Sequence, residues 1–73
     1  MKVSFLGSGA WATALANVVS DNGYDALLYG VCKDEIDDIN LNHQNNKYFK
    51  NVNLNEGIKG TLNIDDVDRK SVV

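Results

Sequence analysis

The stretch KVSFLGSGAWATALA, from Lys2 to Ala16, decides how the rest of the chain is interpreted. It opens with a nearly continuous run of strand-forming residues, which is typical of a parallel strand covered on both faces. Gly7 ends that run. Apolar side chains then recur at helical spacing, and this stripe predicts a helix that packs inward through Trp11, Ala14, Leu15, Val18 and Val19.

The same order of strand and helix repeats further along the chain. Asp21-Asn22-Gly23 predicts the end of the first helix, with Gly23 in a left-handed cap. A second strand at Ala26–Tyr29 and a turn over Gly30–Cys32 lead to a second helix at Asp34–Leu41, whose Ile36 and Ile39 are expected to face inward.

The last third of the chain has weaker patterns. Residues 40–55 are rich in asparagine and predict a long connection, pinned by the aromatic residues Tyr48 and Phe49. A third strand is expected at Ile58–Leu62, then a helical turn capped by Asn63 and the start of a fourth strand at 71–73. The whole series predicts an α/β fold of the Rossmann type, the first β-α-β-α-β half, with a parallel sheet in the order 3-2-1.

The pattern Gly7-x-Gly9-x-x-Ala12 lies between a predicted strand and a predicted helix, as the dinucleotide-binding fingerprint requires. Gly7 allows the tight turn, Gly9 lets a pyrophosphate approach the backbone, and Ala12 lets the helix lie close to the strand. The free N–H groups of the first helical turn, where Ala10 and Trp11 lie, would face the pyrophosphate. Trp11 fits both this place and the core, and a purely structural glycine turn is the alternative.

The end of the second strand normally selects the cofactor, through a carboxylate for NAD or an arginine for NADP. Neither residue directly follows Tyr29, because Gly30 and Val31 stand there. Lys33 and Asp34 could reach the adenosine end, but both are expected to point to solvent. The sequence leaves the choice between NAD and NADP open.

Composition narrows the function classes. The 73 residues carry a net charge of −3, which argues against an electrostatic nucleic-acid binder, and no apolar run is long enough to span a bilayer. A signal peptide is disfavoured because Gly7 and Gly9 interrupt the first apolar run. One cysteine and one histidine cannot form a usual zinc site, and the single cysteine fits a reducing, cytoplasmic setting.

The isolated polar residues are given structural roles. Cys32 is interpreted as an inert thiol, and His43 is expected at the surface rather than in catalysis. The acidic groups are expected to be solvated helix starts rather than metal ligands: Asp34, Glu35, Asp37, Asp38, Asp65, Asp66 and Asp68.

Several of these segments together resemble one family. Gly7 to Ala16 is similar to the opening fingerprint of bacterial NAD(P)-dependent glycerol-3-phosphate dehydrogenases, which commonly reads Gly-x-Gly-Ser-Trp-Gly-Thr-Ala-Leu-Ala. The likeness continues in Leu28-Tyr29-Gly30, in Ile39 to Phe49, which resembles Ile-Asn-x-x-His-x-Asn-x-x-Tyr-Leu, and in Leu54 to Thr61. It covers nearly the whole chain.

This chain departs from the family pattern at a few positions. Ala12 replaces the third glycine, Ala10 replaces a serine that could bond a phosphate, and Val31 stands where many members have an arginine. Proline is absent from the loop, at Asn46 and Asn55. The resemblance implies cofactor contacts at Gly7, Gly9, Ala10, Trp11, Ala12 and Val31.

The resemblance also implies what the parent enzyme does. It would interconvert sn-glycerol 3-phosphate and dihydroxyacetone phosphate with NAD or NADP, for phospholipid synthesis. Its catalytic lysine, substrate domain and second nucleotide-binding half are expected beyond Val73, so the 73 residues alone are expected to be an inactive N-terminal part. Such a chain could self-associate through an exposed strand edge. The alternatives are a nucleotide-binding module of another dehydrogenase and a non-catalytic, oligomer-forming product.

Overall fold

Three parallel strands alternate with two helices in a computed structural model that describes residues 2–50 and 52–67. The elements are β1 (Lys2–Leu6), α1 (Ala10–Asp21), β2 (Asp25–Tyr29), α2 (Lys33–Asn42), β3 (Ile58–Thr61) and a 3-10 turn (Ile64–Asp66). The fourth strand predicted at 71–73 lies outside the described residues. The predicted alternation of strand and helix is confirmed.

The sheet has the spatial order β1-β2-β3, which is the predicted order 3-2-1 seen from the other edge. Both pairs of strands are parallel, with Phe5 beside Leu28 in the first pair and Leu28 beside Gly60 in the second. Leu28 is fully buried at the centre of this arrangement. The near-continuous apolar runs reflect strands that are covered by helices, as parallel sheets require.

The buried face of α1 differs from the predicted stripe. Its buried side chains are small and mostly polar: Thr13, Ala16 and Ser20. Leu15, Val19 and Ala12 pack at the margin of the core, whereas Trp11 is 78% exposed, Val18 is 57% exposed and Ala14 is exposed. The prediction was therefore wrong for Trp11, Ala14 and Val18. Apolar spacing failed because a helix that lies close to a sheet favours small side chains along the line of contact.

The end of α1 follows the predicted chemistry. Gly23 has φ +92°, in the left-handed region that suits glycine. Its N–H donates to the Ser20 carbonyl at 3.0 Å, and the Tyr24 N–H donates to the Val19 carbonyl at 3.2 Å. These two bonds form a Schellman motif, which satisfies carbonyls that would otherwise be left open.

The connection between α2 and β3 is held by residues other than the predicted aromatic pair. Ile36 and Ile39 of α2 are buried, as predicted. After the helix, however, the fully buried Asn45 and the buried Leu54 fix the loop. Tyr48, one of the two aromatic residues predicted to pin the loop, is 42% exposed and does not anchor the loop by burial. Phe49 is half-buried, and its N–H donates to the Asn45 carbonyl at 2.8 Å.

Candidate functional site

The turn between β1 and α1 has the tight geometry that its glycines predict. Gly7 has φ +148°, a backbone conformation that residues other than glycine rarely adopt. A Cβ on Gly7 would lie 4.0 Å from the Ala12 Cβ. The first turn of α1 therefore lies directly against the end of β1, and the small side chain of Ala12 permits this approach.

Gly9 is the N-cap of α1 and leaves the start of the helix open. Its backbone is extended, with φ −74° and ψ −172°, and no side chain caps the helix there. The first N–H groups of any α-helix lack partners within the helix and carry partial positive charge. The first turn of α1 also contains no acidic residue. This end of α1 is therefore suited to an anion.

The space over Gly9 is bounded by one aromatic residue. A Cβ on Gly9 would meet only the Tyr48 hydroxyl oxygen within 4 Å, at 3.9 Å. Tyr48 comes from the loop after α2, and the sequence predicted that it pins this loop rather than that it lies near Gly9. A phosphate group could approach the bare Gly9 backbone and still contact this hydroxyl. The residues present thus fit a pyrophosphate.

A cleft of 370 Å³ opens beside the glycine turn, at the carboxyl ends of β1 and β2. In open parallel sheets, ligands bind in crevices outside these strand ends. Val31 is 87% exposed at its rim. The lining residues are Leu6, Gly7, Ser8, Tyr29, Gly30, Val31, Glu35 and Ile64.

Ser8, which the sequence did not single out, anchors the glycine turn. It is buried, and its hydroxyl donates to Glu35 Oε2 at 3.0 Å. The approach of Ser8 to β2 depends on Gly30, because a Cβ on Gly30 would overlap Ser8 Oγ and lie 3.0 Å from Ser8 Cβ. Gly30 thus lets the two turns at the carboxyl end of the sheet touch.

Asn45 holds the other side of the same turn. Its Nδ2 donates to the Ser8 carbonyl at 2.8 Å and to Thr13 Oγ1 at 3.0 Å. The Thr13 hydroxyl in turn donates to the Ser8 carbonyl at 3.3 Å. Thr13 and Asn45 both stand in the segments that resemble the family pattern, and this was the signal that could have singled them out.

The expectation of solvated acidic side chains was wrong for Glu35. Its side chain is 10% exposed, and its Oε1 lies 3.4 Å from Lys47 Nζ. Tyr48 first, and Glu35 second, raise the pKa of Lys47 above its ordinary value. Lys33 and Asp34 are exposed as predicted, and a hydrogen bond to Asp37 raises the pKa of Lys33.

His43 and Cys32 occupy the ends of α2. Cys32 is a half-exposed free thiol at the N-cap, whose side chain makes no capping bond. His43, expected at the surface, is half-buried and forms the C-cap with φ +54°. Its backbone carbonyl accepts a hydrogen bond of 2.6 Å from the Leu54 N–H. The prediction of a surface histidine was wrong, since this residue joins α2 to the loop.

The described part of the chain contains neither a cluster of metal-ligating side chains nor a membrane-spanning helix. No group of three or more His, Cys, Asp or Glu side chains in residues 2–50 and 52–67 could hold a metal ion. None of the helices in those ranges is long and apolar enough to cross a membrane.

A parallel sheet, a glycine turn that leads into an open helix N-terminus, and a cleft at the strand ends define a nucleotide-binding domain of the Rossmann type. Comparison with known proteins identifies the family. Residues 2–73 match the family model described as NAD-dependent glycerol-3-phosphate dehydrogenase N-terminus, and the chain belongs to this family.

Individual relatives agree with this assignment. The chain is 48% identical over 63 residues to a glycerol-3-phosphate dehydrogenase [NAD(P)+] of Streptococcus equi subsp. equi, across 86% of this chain and 19% of that protein. It is 43% identical over 65 residues to the protein of the same name from Streptococcus agalactiae, across 89% of this chain and 19% of that one. The chain thus spans about a fifth of the length of these curated relatives.

Solved structures show the same fold. A glycerol-3-phosphate dehydrogenase of Plasmodium falciparum superimposes with a TM-score of 0.80 at 31% identity, over 97% of this chain and 22% of that one. The enzyme of Coxiella burnetii gives a TM-score of 0.82 at 28% identity over the same shares.

Proposed function

We propose that this chain holds the adenosine and pyrophosphate end of NAD or NADP in a glycerol-3-phosphate dehydrogenase. The observation that carries the proposal is Gly9, a side-chain-free N-cap with open space above it. A pyrophosphate there would accept hydrogen bonds from the free N–H groups of α1. The family and the names of its members support the choice of cofactor.

Each residue predicted from the sequence to contact the cofactor would have a role set by its position. Gly7, Gly9 and Ala12 shape the turn, and Ala10 and Trp11 offer backbone N–H groups at the start of α1. Val31 would contact the adenosine end, at the rim of the cleft. Tyr48, which the sequence did not propose for this role, would place its hydroxyl beside the pyrophosphate.

When it is bound, the nicotinamide ring supplies hydride transfer. We assign no catalytic role within the 73 residues. The activity that we propose for the protein is the interconversion of sn-glycerol 3-phosphate and dihydroxyacetone phosphate, which supplies phospholipid synthesis in the cytoplasm. The names of the relatives support this reaction, and the cofactor end of it is what the present residues would serve.

Equilibrium binding and turnover test the proposal together. The whole product of the gene is purified. It is then titrated with NADH and NADPH, and the nicotinamide fluorescence is measured. We expect saturable binding of at least one of them, and oxidation of glycerol 3-phosphate when the oxidised form of that cofactor, NAD+ or NADP+, is supplied as hydride acceptor. If the protein bound the cofactor and oxidised another alcohol instead of glycerol 3-phosphate, the chain would be assigned to a different dehydrogenase. Absence of binding would refute the proposal.

We also propose that an isolated polypeptide of these 73 residues self-associates through the free edge of β1. Among the described residues, β1 pairs with β2 alone, and Leu6 at its end is 59% exposed. An unpaired strand edge is a template for pairing with another strand. Sedimentation equilibrium at micromolar concentration is expected to show dimers or larger species, whereas a stable monomer would refute this proposal.

A further inference from the structure

Two buried donors hold the carbonyl of Ser8, the residue between the two glycines of the turn. Asn45 Nδ2 donates to this carbonyl at 2.8 Å, and Thr13 Oγ1 donates to it at 3.3 Å. Both side chains are fully buried, and the second hydrogen of Asn45 Nδ2 is given to Thr13 Oγ1 at 3.0 Å. The three groups form a closed set of hydrogen bonds, so the Ser8 carbonyl is held towards the protein interior.

The direction of this carbonyl fixes the direction of the next N–H group. The Ser8–Gly9 peptide bond is trans, and in a planar trans peptide the carbonyl oxygen and the amide hydrogen point in opposite directions. The Gly9 N–H therefore points away from Asn45 and Thr13. No group in the described part of the chain accepts a hydrogen bond from it. It is a free donor at the N-cap of α1, where no side chain caps the helix.

Asn45 is itself fixed by the loop that carries it. Its backbone carbonyl accepts hydrogen bonds from the N–H groups of Tyr48 at 3.1 Å and Phe49 at 2.8 Å, so the chain turns tightly at this residue. The same turn places the Tyr48 hydroxyl 3.9 Å from the position that a Cβ on Gly9 would take. One loop therefore orients the donor at Gly9 and also bounds the space beside it.

We propose that Asn45 is a positioning residue for the cofactor, which together with Thr13 turns the Gly9 N–H towards the pyrophosphate. This inference rests on the function proposed above. A donor that is oriented before binding needs no reordering when the anion arrives, and its hydrogen bond to a charged acceptor is stronger than one between neutral groups. Without the two buried donors, the Ser8–Gly9 peptide is free to rotate. Asn45 acts only through this peptide, because it is fully buried.

Binding of ADP-ribose and of adenosine to the whole product of the gene separates this role from a purely structural one. Both ligands carry the adenosine, whereas only ADP-ribose carries the pyrophosphate. In a folded Asn45→Ala protein, the dissociation constant of ADP-ribose, measured by isothermal titration calorimetry, is expected to rise at least about tenfold, as for the loss of one hydrogen bond to a charged group. The dissociation constant of adenosine should stay unchanged.

The second donor and a matched asparagine complete the test. Thr13→Val removes the other hydrogen bond to the Ser8 carbonyl and should weaken ADP-ribose binding in the same selective way, whereas Thr13→Ser keeps a hydroxyl and should restore most of the affinity. Asn17→Ala is the control, because Asn17 Oδ1 accepts from the Asn55 N–H at 3.0 Å and holds the same loop to α1 away from the glycine turn. It should change neither dissociation constant.

Unchanged ADP-ribose affinity in a folded Asn45→Ala protein would overturn the inference. An equal loss for both ligands, or the same loss in Asn17→Ala, would overturn it too, because the cause would then be a loosened loop rather than a misdirected N–H. If Asn45→Ala does not fold, equal ADP-ribose affinities of Thr13→Val and Thr13→Ser would have the same meaning. Failure of the native protein to bind ADP-ribose would instead refute the proposed function.

Discussion

The Ser8 hydroxyl donates a 3.0 Å hydrogen bond to Glu35, and this bond joins the glycine turn after β1 to the first turn of α2, 27 residues further along the chain. The carbonyl of the same serine accepts bonds from Asn45 and Thr13. One residue of the turn is thus bonded to both helices and to the loop after α2. Because two of these bonds are buried and the bond to Glu35 is partly buried, the shape of the turn should depend on each of them.

Gly30→Ala should disturb the turn from the β2 side. The new methyl group would overlap Ser8 Oγ and lie 3.1 Å from Ile36 Cδ1, so the neighbours must move. We expect a loss of about 1–3 kcal/mol in the free energy of unfolding, as for other overpacked sites. Urea denaturation measures it. Gly9→Ala is the control, with an expected loss below about 1 kcal/mol, and an equal or larger loss there would contradict the packing argument.

Asn45→Ala should destabilise the fold by removing two buried hydrogen bonds. Asn45 is fully buried and donates to the Ser8 carbonyl and to Thr13 Oγ1. The loss of such bonds costs about 1–3 kcal/mol. Asn42→Ala removes an exposed amide that bonds Asp38, and it should change stability by less than about 0.5 kcal/mol. If both variants melted at the same temperature, Asn45 would not be holding the loop.

The ion pair of Lys47 should contribute to stability only while the lysine is charged. Tyr48 and Glu35 raise its pKa in the folded state. Because the pKa of Lys47 is higher in the folded state, the stabilisation by the ion pair is complete below the unfolded-state pKa of about 10.4. It is lost as the pH rises through the higher folded-state pKa. The stability difference between the native protein and Lys47→Gln should therefore be constant from pH 7 to 9 and shrink above that range.

A double-mutant cycle with Glu35→Gln isolates the pair from other effects of pH. The coupling between the two positions should be favourable at pH 8 and approach zero in strongly alkaline buffer. Coupling that grew with pH would have the wrong sign for this account.

The corrected orientation of α1 can be tested on two of its residues. Ala16 is fully buried against the sheet, and Val18 is 57% exposed. Ala16→Leu should cost about 1–3 kcal/mol through overpacking. Val18→Thr should stay within about 0.5 kcal/mol, as surface changes usually do. A larger loss of stability for Val18→Thr than for Ala16→Leu would mean that α1 packs on the sheet through the face predicted from the apolar stripe.

Local signals were enough to predict the elements of this fold. The run over Lys2–Leu6, the glycine turn and the cap at Gly23 each act through residues that are adjacent in the chain. Their physical chemistry is therefore visible in the sequence, and the resemblance to a known family supported the same order of strands. The spacing of Ile36 and Ile39 likewise gave the inner face of α2.

The missed features depend on contacts between distant segments. Asn45 bonds a residue 37 positions away, and the local composition of the loop does not distinguish it from Asn42 or Asn46. Only the resemblance to the family pattern, in which position 45 reads Asn, could have singled it out. Glu35 follows the exposed Asp34 in an acidic run, and only the folded chain shows that one is buried and the other is not. The inner face of α1 was missed because small side chains, Thr13, Ala16 and Ser20, take the place of large apolar ones where the helix lies close to the sheet.

The central claim, that a pyrophosphate approaches the backbone at Gly9, is tested most directly by the cofactor affinity of Gly9→Val. The valine methyl groups would fill the space below the Tyr48 hydroxyl, since an added Cβ alone would lie 3.9 Å from that oxygen. We predict that the dissociation constant of NADH, measured by fluorescence titration, rises about a hundredfold, or ~2.7 kcal/mol, while circular dichroism shows the fold retained. Ala14→Val, at an exposed position of the same helix, should leave it unchanged. A folded Gly9→Val protein that bound NADH as tightly as the native protein would contradict the account.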